Sequence, residues 1–177
     1  EPEDDVSYDA IGRRYAGAIF ELAKGEGQTG AVADQLGAFA QVYEGSVELQ
    51  TVLENPVVDQ QARSAIVSDI AGRTGISGLA LQALRLVTQK RRLRAIPDIA
   101  RHLRRLVDED AKVVRAHVTT ATNPPSGYLD RLKVEIERST GKKVVLTHAV
   151  DPTLIGGVVT AIGDRVVDGS LRSRLLS

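Results

Sequence analysis

The chain has no cysteine, no methionine and no tryptophan, and aromatic residues make up only 3% of it. Without cysteine there is no disulfide framework, no thiolate nucleophile and no Cys-ligated zinc. The compartment's redox state is then not written in the sequence, although a reducing one fits. The missing initiator methionine points to a processed or trimmed N-terminus. No stretch approaches the ~18 consecutive apolar residues of a membrane span, so any tie to a membrane runs through a partner. Neither charge sign is in excess: 23 basic and 23 acidic side chains leave a formal net charge of zero. That removes any global attraction to a polyelectrolyte.

What is present is an ordinary apolar share of 42% over 177 residues, enough for one medium domain or two small ones. The charges are segregated. Residues 1–60 carry twelve acidic against three basic side chains, a surplus of nine negative charges, whereas residues 85–105 carry eight Lys/Arg and one acid, Asp98. Glu1 to Asp5 is acidic, unlike a signal or transit peptide, and residues 1–7 read as a mobile acidic tail.

From Tyr8 the apolar residues follow helical spacing. Ile11, Tyr15, Ala18, Ile19 and Leu22 share one stripe of a first helix that glycines 25 and 27 end. Val32, Leu36, Phe39 and Tyr43 mark a second helix, Thr29 to Glu44. Ser46 caps a short third helix that stops before Pro56. Asp59 caps a fourth, with Ala62, Ile66 and Ile70 inward and Gly72 and Gly75 closing it. Ser77 opens a fifth, with Leu79, Leu84 and Val87 inward, ending near Lys90-Arg91-Arg92. Pro97 stands in the first turn of a sixth, with Ile99, Leu103, Leu106 and Val107 apolar. Six short amphipathic helices predict an antiparallel bundle over residues 8–109.

Near Asp110 the period changes from 3.6 to 2. Val114, Ala116, Val118 and Thr120 alternate with Arg115, His117 and Thr119, the pattern of a strand with one wet face. A helix follows through Leu129, Leu132 and Ile136 to Gly141, then a strand from Val144 to Leu146. Val158–Ile162 and Arg165–Val167 flank Gly163-Asp164 as a hairpin, and Ser170 caps a last turn through Leu171 and Leu175. Residues 110–177 therefore read as a small α+β domain. The fold class is mainly α with a small α+β part.

Catalytic chemistry finds little support. His102, His117 and His148 lack metal-ligand spacing; His117 and His148 are expected to face each other across paired strands. No serine sits between glycines as a nucleophile elbow needs, and no glycine-rich loop leads to Lys-Ser or Lys-Thr. Gly156-Gly157 precedes a strand rather than a helix, so no helix N-terminus meets a phosphate there. Asp164 and Asp168 are the best carboxylate pair, but a hairpin turn supplies no cleft to separate their pKa values. They read as a turn residue and a hydrogen-bond anchor rather than a hydrolase site. No catalytic residue, cofactor or metal is expected. The basic run 85–105 suggests, as an alternative, a helical adaptor for RNA or another protein, yet it holds no aromatic platform for bases.

Three stretches resemble the F-type ATP synthase delta subunit, the oligomycin-sensitivity-conferring protein family. The first is Arg14-Tyr15-Ala16-Gly17-Ala18-Ile19-Phe20-Glu21-Leu22-Ala23. The second is Leu93-Arg94-Ala95-Ile96-Pro97-Asp98-Ile99, entered through Arg92. The third runs Gly156-Gly157-Val158-Val159, then Gly163-Asp164-Arg165-Val166-Val167-Asp168-Gly169-Ser170, then Leu175. They occur in the family's order across the chain. One departure is local: the family often has Asn-Gly before the Arg-Leu, where this chain has Lys90-Arg91. The end at Ser177 also implies a short final helix.

The resemblance implies a non-catalytic stator subunit that links the catalytic head to the peripheral stalk and resists rotor torque. It implies a groove between the first and fifth helices for the N-terminal helix of an alpha subunit, lined by Tyr15, Ala18, Ile19 and Leu22 and, opposite, Leu84, Val87 and Thr88. The small residues Ala16, Gly17 and Ala18 would let that helix approach. Periodicity alone leaves Leu22 and Leu84 open between groove and core. The C-terminal domain would meet the ends of the peripheral-stalk b subunits, with Gly156, Gly157, Gly163, Asp164, Asp168, Gly169 and Ser170 structural. The expected setting is a hetero-oligomeric complex, without nucleic acid or membrane insertion. It would lie peripherally on the cytoplasmic face of a bacterial inner membrane or the matrix or stroma side of an organelle membrane.

Overall fold

The computed structural model describes residues 7–154, 158–162 and 165–168, the last four by backbone alone. The chain divides into two compact units, Glu1–Val107 and Asp108–Ser177.

The first unit is helical: α1 Tyr8–Gly25, α2 Thr29–Glu44, α3 Val47–Glu54, α4 Gln60–Arg73, α5 Gly78–Gln89 and α6 Ile96–Asp110, with a 3₁₀ turn, Leu93–Ala95, leading into α6. The caps follow from the sequence. Ser46 accepts a hydrogen bond from the Leu49 amide at 3.1 Å and Asp59 one from the Ala62 amide at 2.7 Å, each satisfying an orphan donor of a first turn. Ser77 precedes α5, but its side chain makes no cap bond.

Three helices, α1, α4 and α5, end in the same way. The amide two residues past the cap reaches back five residues (Gln28 to Ala23, Ile76 to Ala71, Arg92 to Val87) and the intervening amide reaches back three. This is the Schellman closure, which needs a left-handed residue between them. Gly27 and Gly75 fill that position at φ +66° and +71°, whereas Gly25 and Gly72 lie inside their helices. In α5 the position is held by Arg91 at φ 54°. A side chain there costs roughly 1–2 kcal/mol that glycine avoids.

One apolar cluster fills this unit. From α2 it takes Val32, Leu36, Phe39 and Tyr43, the four predicted positions. From α6 it takes Ile96, Ile99, Leu103 and Val107, with Leu106 at the margin. In α4 the buried stripe is displaced by one residue from the expected one. Arg63, Val67 and Ala71 point inward, Ile66 and Ile70 flank them, and Ala62 is exposed. Arg63, only 2% exposed, drives this rotation. Its guanidinium donates to the carbonyl oxygens of Leu53 (2.8 Å), Asn55 (2.9 Å) and Val58 (2.9 Å), closing the α3–α4 loop from within. A periodicity search that counts only apolar residues cannot find it.

Polar links brace the helices. Tyr43 donates its hydroxyl to Glu54, which also accepts from Arg94 Nε at 2.6 Å. Burial first, and then the Glu54 carboxylate, push the Tyr43 hydroxyl well above its ordinary range, so it stays protonated. Hydrogen bonds with Glu54 and then Tyr8 raise Arg94 above its usual value. Next to Tyr8 in the first turn of α1, Asp9 meets the His102 ring at 2.7 Å and Arg101 at 3.2 Å. About one turn further along α1, Gly12 lies against α6 so closely that a Cβ there would stand 2.5 Å from the Asp98 Cβ.

The second unit pairs β1 Val113–Thr120 in parallel with β2 Lys143–Val150 through the crossover helix α7 Tyr128–Thr140. β1 also pairs antiparallel with β3 Val158–Ile162, and β3 with β4 Arg165–Asp168. The sheet order is β2-β1-β3-β4. Gly127 and Gly141 bracket α7 with φ +76° and +66°. Ala116, Ile136 and Val144 form the core, backed by Val114, Leu132, Leu146 and Ile162. β2 runs well past the predicted Val144–Leu146, because the whole length of β1 offers it backbone partners from Val113 to Thr120.

Candidate partner-docking surface

The residues expected to line a groove between α1 and α5 do not share one environment. Leu84, at 0% exposure, Val87 and Thr88 are enclosed by the core. Thr88 donates its hydroxyl to the Leu84 carbonyl at 2.6 Å, the usual way a helix hides a buried hydroxyl. Ile19 is buried with Ile11, Ala16, Phe20 and Ala23 on the inner face of α1. Tyr15 is half-buried, its ring beneath the Arg92 guanidinium at 6.0 Å. Ala18 and Leu22 face outward, and Leu22 is 59% exposed.

On α5 the large apolar residue left outside is Leu86, 45% exposed. The sequence stripe did not include it, because it lies off the Leu84–Val87 face. Its signal is a leucine on a helix whose inner face is already supplied by Ala80, Ala83, Leu84, Val87 and Thr88. Exposed Leu22 and Ala18 on α1 and exposed Leu86 on α5 are what these two helices leave outside, while Gly17 has open space where a Cβ would lie. Exposed leucines on helices otherwise well packed are what a partner helix covers.

Four of the eight basic residues of the run are committed to the fold. Arg94 binds Glu54, Arg101 binds Asp98 and Asp9, Arg104 binds Asp34, and Arg92 stacks on Tyr15. These four brace helices and are not free to serve as phosphate ligands.

His117 and His148 do not face each other. His117 stands opposite Thr147 in the β1–β2 register and His148 opposite Val118, which puts the two rings on opposite faces of the sheet. Each bonds a threonine instead: His117 Nδ1 to Thr147 Oγ1 at 2.8 Å, His148 Nε2 to Thr120 Oγ1 at 2.7 Å. The C-terminal signature positions Gly156, Gly157, Gly163, Asp164, Gly169 and Ser170, and the last turn through Leu175, lie outside the described residues. Asp168 closes β4 by its backbone, opposite Val159.

With this geometry in hand, three comparisons converge. The family model of the ATP synthase delta (OSCP) subunit matches residues 11–177. The ATP synthase subunit delta of Solidesulfovibrio magneticus is 39% identical over 167 residues, 93% of this chain and 91% of that protein. The subunit delta of Myxococcus xanthus is 39% identical over 168 residues, covering 94% and 92%. In fold, a chain of the Toxoplasma gondii mitochondrial ATP synthase hexamer superposes with a TM-score of 0.65 at 21% identity, over 94% of this chain and 98% of that one. A match across both units, at this identity, carries the whole architecture and not one motif: the chain belongs to the ATP synthase delta (OSCP) subunit family.

Proposed function

We propose that this protein clamps the catalytic head of a rotary ATP synthase to its peripheral stalk by taking the alpha subunit's N-terminal helix onto the outer face of α1 and α5. Membership in the family makes it a non-catalytic stator subunit of the synthase. The finer reading rests on one observation above all: Leu22 and Leu86 stand exposed on helices whose other large apolar side chains, Tyr8 at the start of α1 apart, are buried or half-buried. Ala18 and Gly17 keep the intervening surface low. An incoming amphipathic helix would cover the two leucines, and each leucine removed from water contributes about 1.5–3 kcal/mol. Leu84, Val87, Thr88 and Ile19 shape that face from beneath instead of touching the partner.

In this reading the six helices form an antiparallel bundle and residues 110–177 a separate domain that meets the b subunits of the stalk. No helix among the described residues is long and apolar enough to cross a membrane. Attachment to a bacterial inner membrane from its cytoplasmic face then runs through those partners.

The test is calorimetric titration with a peptide of about 20 residues from the cognate alpha-subunit N-terminus, a length at which a free helix is marginal and folds on binding. The expected result is one-to-one binding with a negative heat-capacity change. Leu22→Asp should abolish it while leaving Tm unaltered. Wild-type affinity in that variant would remove the α1–α5 face from consideration.

A further inference from the structure

The described residues also form a smaller cleft, of about 140 Å³, between the start of α1, the α3–α4 loop and the turn after α5. Leu53, Pro56 and Leu93 wall it, and Arg63, Arg91 and Arg94 bring three guanidinium groups to it against one carboxylate, Glu54. Two of these cations are occupied. Arg63 is spent on loop carbonyls and Arg94 on Glu54 and Tyr8. The Arg91 side chain has no hydrogen-bond or ion-pair partner among the described residues and is exposed.

Arg91 is also the residue in the left-handed Schellman position, where α1 and α4 use glycine. A strained non-glycine residue beside a cleft is the kind of observation that points toward function. We infer that this cleft is a docking site for an acidic segment of a protein partner, with Arg91 pairing the partner's carboxylate and the apolar walls holding its neighbouring side chain.

Charge complementarity selects the occupant. The cleft is short of negative charge by two, yet Glu54 stands inside it. Arg94 is paired with Glu54 and Arg63 is held by three loop carbonyls, so Arg91 is the cation left to a partner, and a single carboxylate meets it with less repulsion from Glu54 than a phosphate dianion would. Pro56 forms the outer apolar wall, giving an apolar side chain next to the carboxylate somewhere to lie, and Val57 follows it in the chain, 88% exposed. The site goes beyond the alpha-subunit face, which it does not need.

The experiment uses the full ¹⁵N-labelled chain and an acetylated, amidated hexapeptide of alternating leucine and glutamate, followed by amide chemical shifts. Movement of Arg91, Leu93, Arg94 and Val57 is expected, with at least tenfold weaker binding when glutamine replaces glutamate. Arg91→Gly is the decisive variant, because it relaxes the backbone while removing the cation. It should raise Tm and lower peptide affinity at least tenfold. Arg91→Ala should lose the affinity without the gain in Tm. Unchanged affinity in Arg91→Gly, equal binding of the glutamine peptide, or shifts confined to other residues would each overturn the proposal. So would inorganic phosphate that moves the same amides as strongly as the peptide.

Discussion

Gly12→Ala tests whether α1 and α6 touch through their backbones. The new Cβ would stand 2.5 Å from the Asp98 Cβ, 2.9 Å from the Asp98 carbonyl carbon and 3.1 Å from the Ile99 nitrogen. Two of these three atoms belong to the main chain of α6, so no rotamer change relieves the overlap and the helices must separate. Overpacking of this kind costs up to about 3 kcal/mol. Alanine returns about 1 kcal/mol through its better helix propensity. The net loss is about 2 kcal/mol, or roughly 10 °C in Tm for a unit of this size. Gly37→Ala in α2 is the matched control, since nothing lies within 4 Å of its would-be Cβ; it should gain up to about 1 kcal/mol. Thermal unfolding followed by helical circular dichroism reads both. If Gly12→Ala melts with or above the parent while the control behaves as stated, the close crossing of α1 and α6 is wrong.

Arg63→Met keeps most of the side-chain volume but orphans three loop carbonyls, and should cost about 3 kcal/mol or more in urea unfolding; a loss below 1 kcal/mol would show that water replaces the guanidinium freely. The acid limb of stability should carry the signature of Asp9. The His102 hydrogen bond, with Arg13 adding to it and partial desolvation opposing, holds the Asp9 carboxyl below its ordinary 3.8. A carboxyl lowered by folding contributes stability above its unfolded value and loses it as pH falls through the lowered one. Asp9→Asn should therefore flatten the decline of stability below about pH 4, and an unchanged acid profile would remove the Asp9–His102 link from the fold's energetics.

The helical unit was legible wherever one residue carried one signal. Ser46 and Asp59 did cap helices, the α2 stripe was the α2 core, and the period change after Asp110 did mark β1. The sequence was mute where burial ran against residue type or where two surfaces compete for one stripe. Arg63 is polar yet central, which displaced the α4 core by a residue. Leu22 and Leu84 have the same spacing and composition signals, yet one is open to solvent and the other sealed. Only the packing of α1 against its neighbours decides that. Arg91 sat in plain view as a departure from the family's Asn-Gly, but its left-handed backbone becomes visible only with the Val87 and Thr88 carbonyls in place.

The sheet order has a consequence for how the chain is made. β1 is an inner strand, and both of its neighbours come later: Lys143 pairs with Val113, and Ile162 with Ala116. The α2 and α5 core can assemble from residues already synthesised, but β1 leaves the ribosome with neither edge filled. At roughly 5–20 residues per second, the 46 residues between Ala116 and its β3 partner take about 2–9 s to appear. For that interval the edge of β1 that β3 will fill keeps its backbone groups unpaired, and it is there that a nascent chain is open to mispairing.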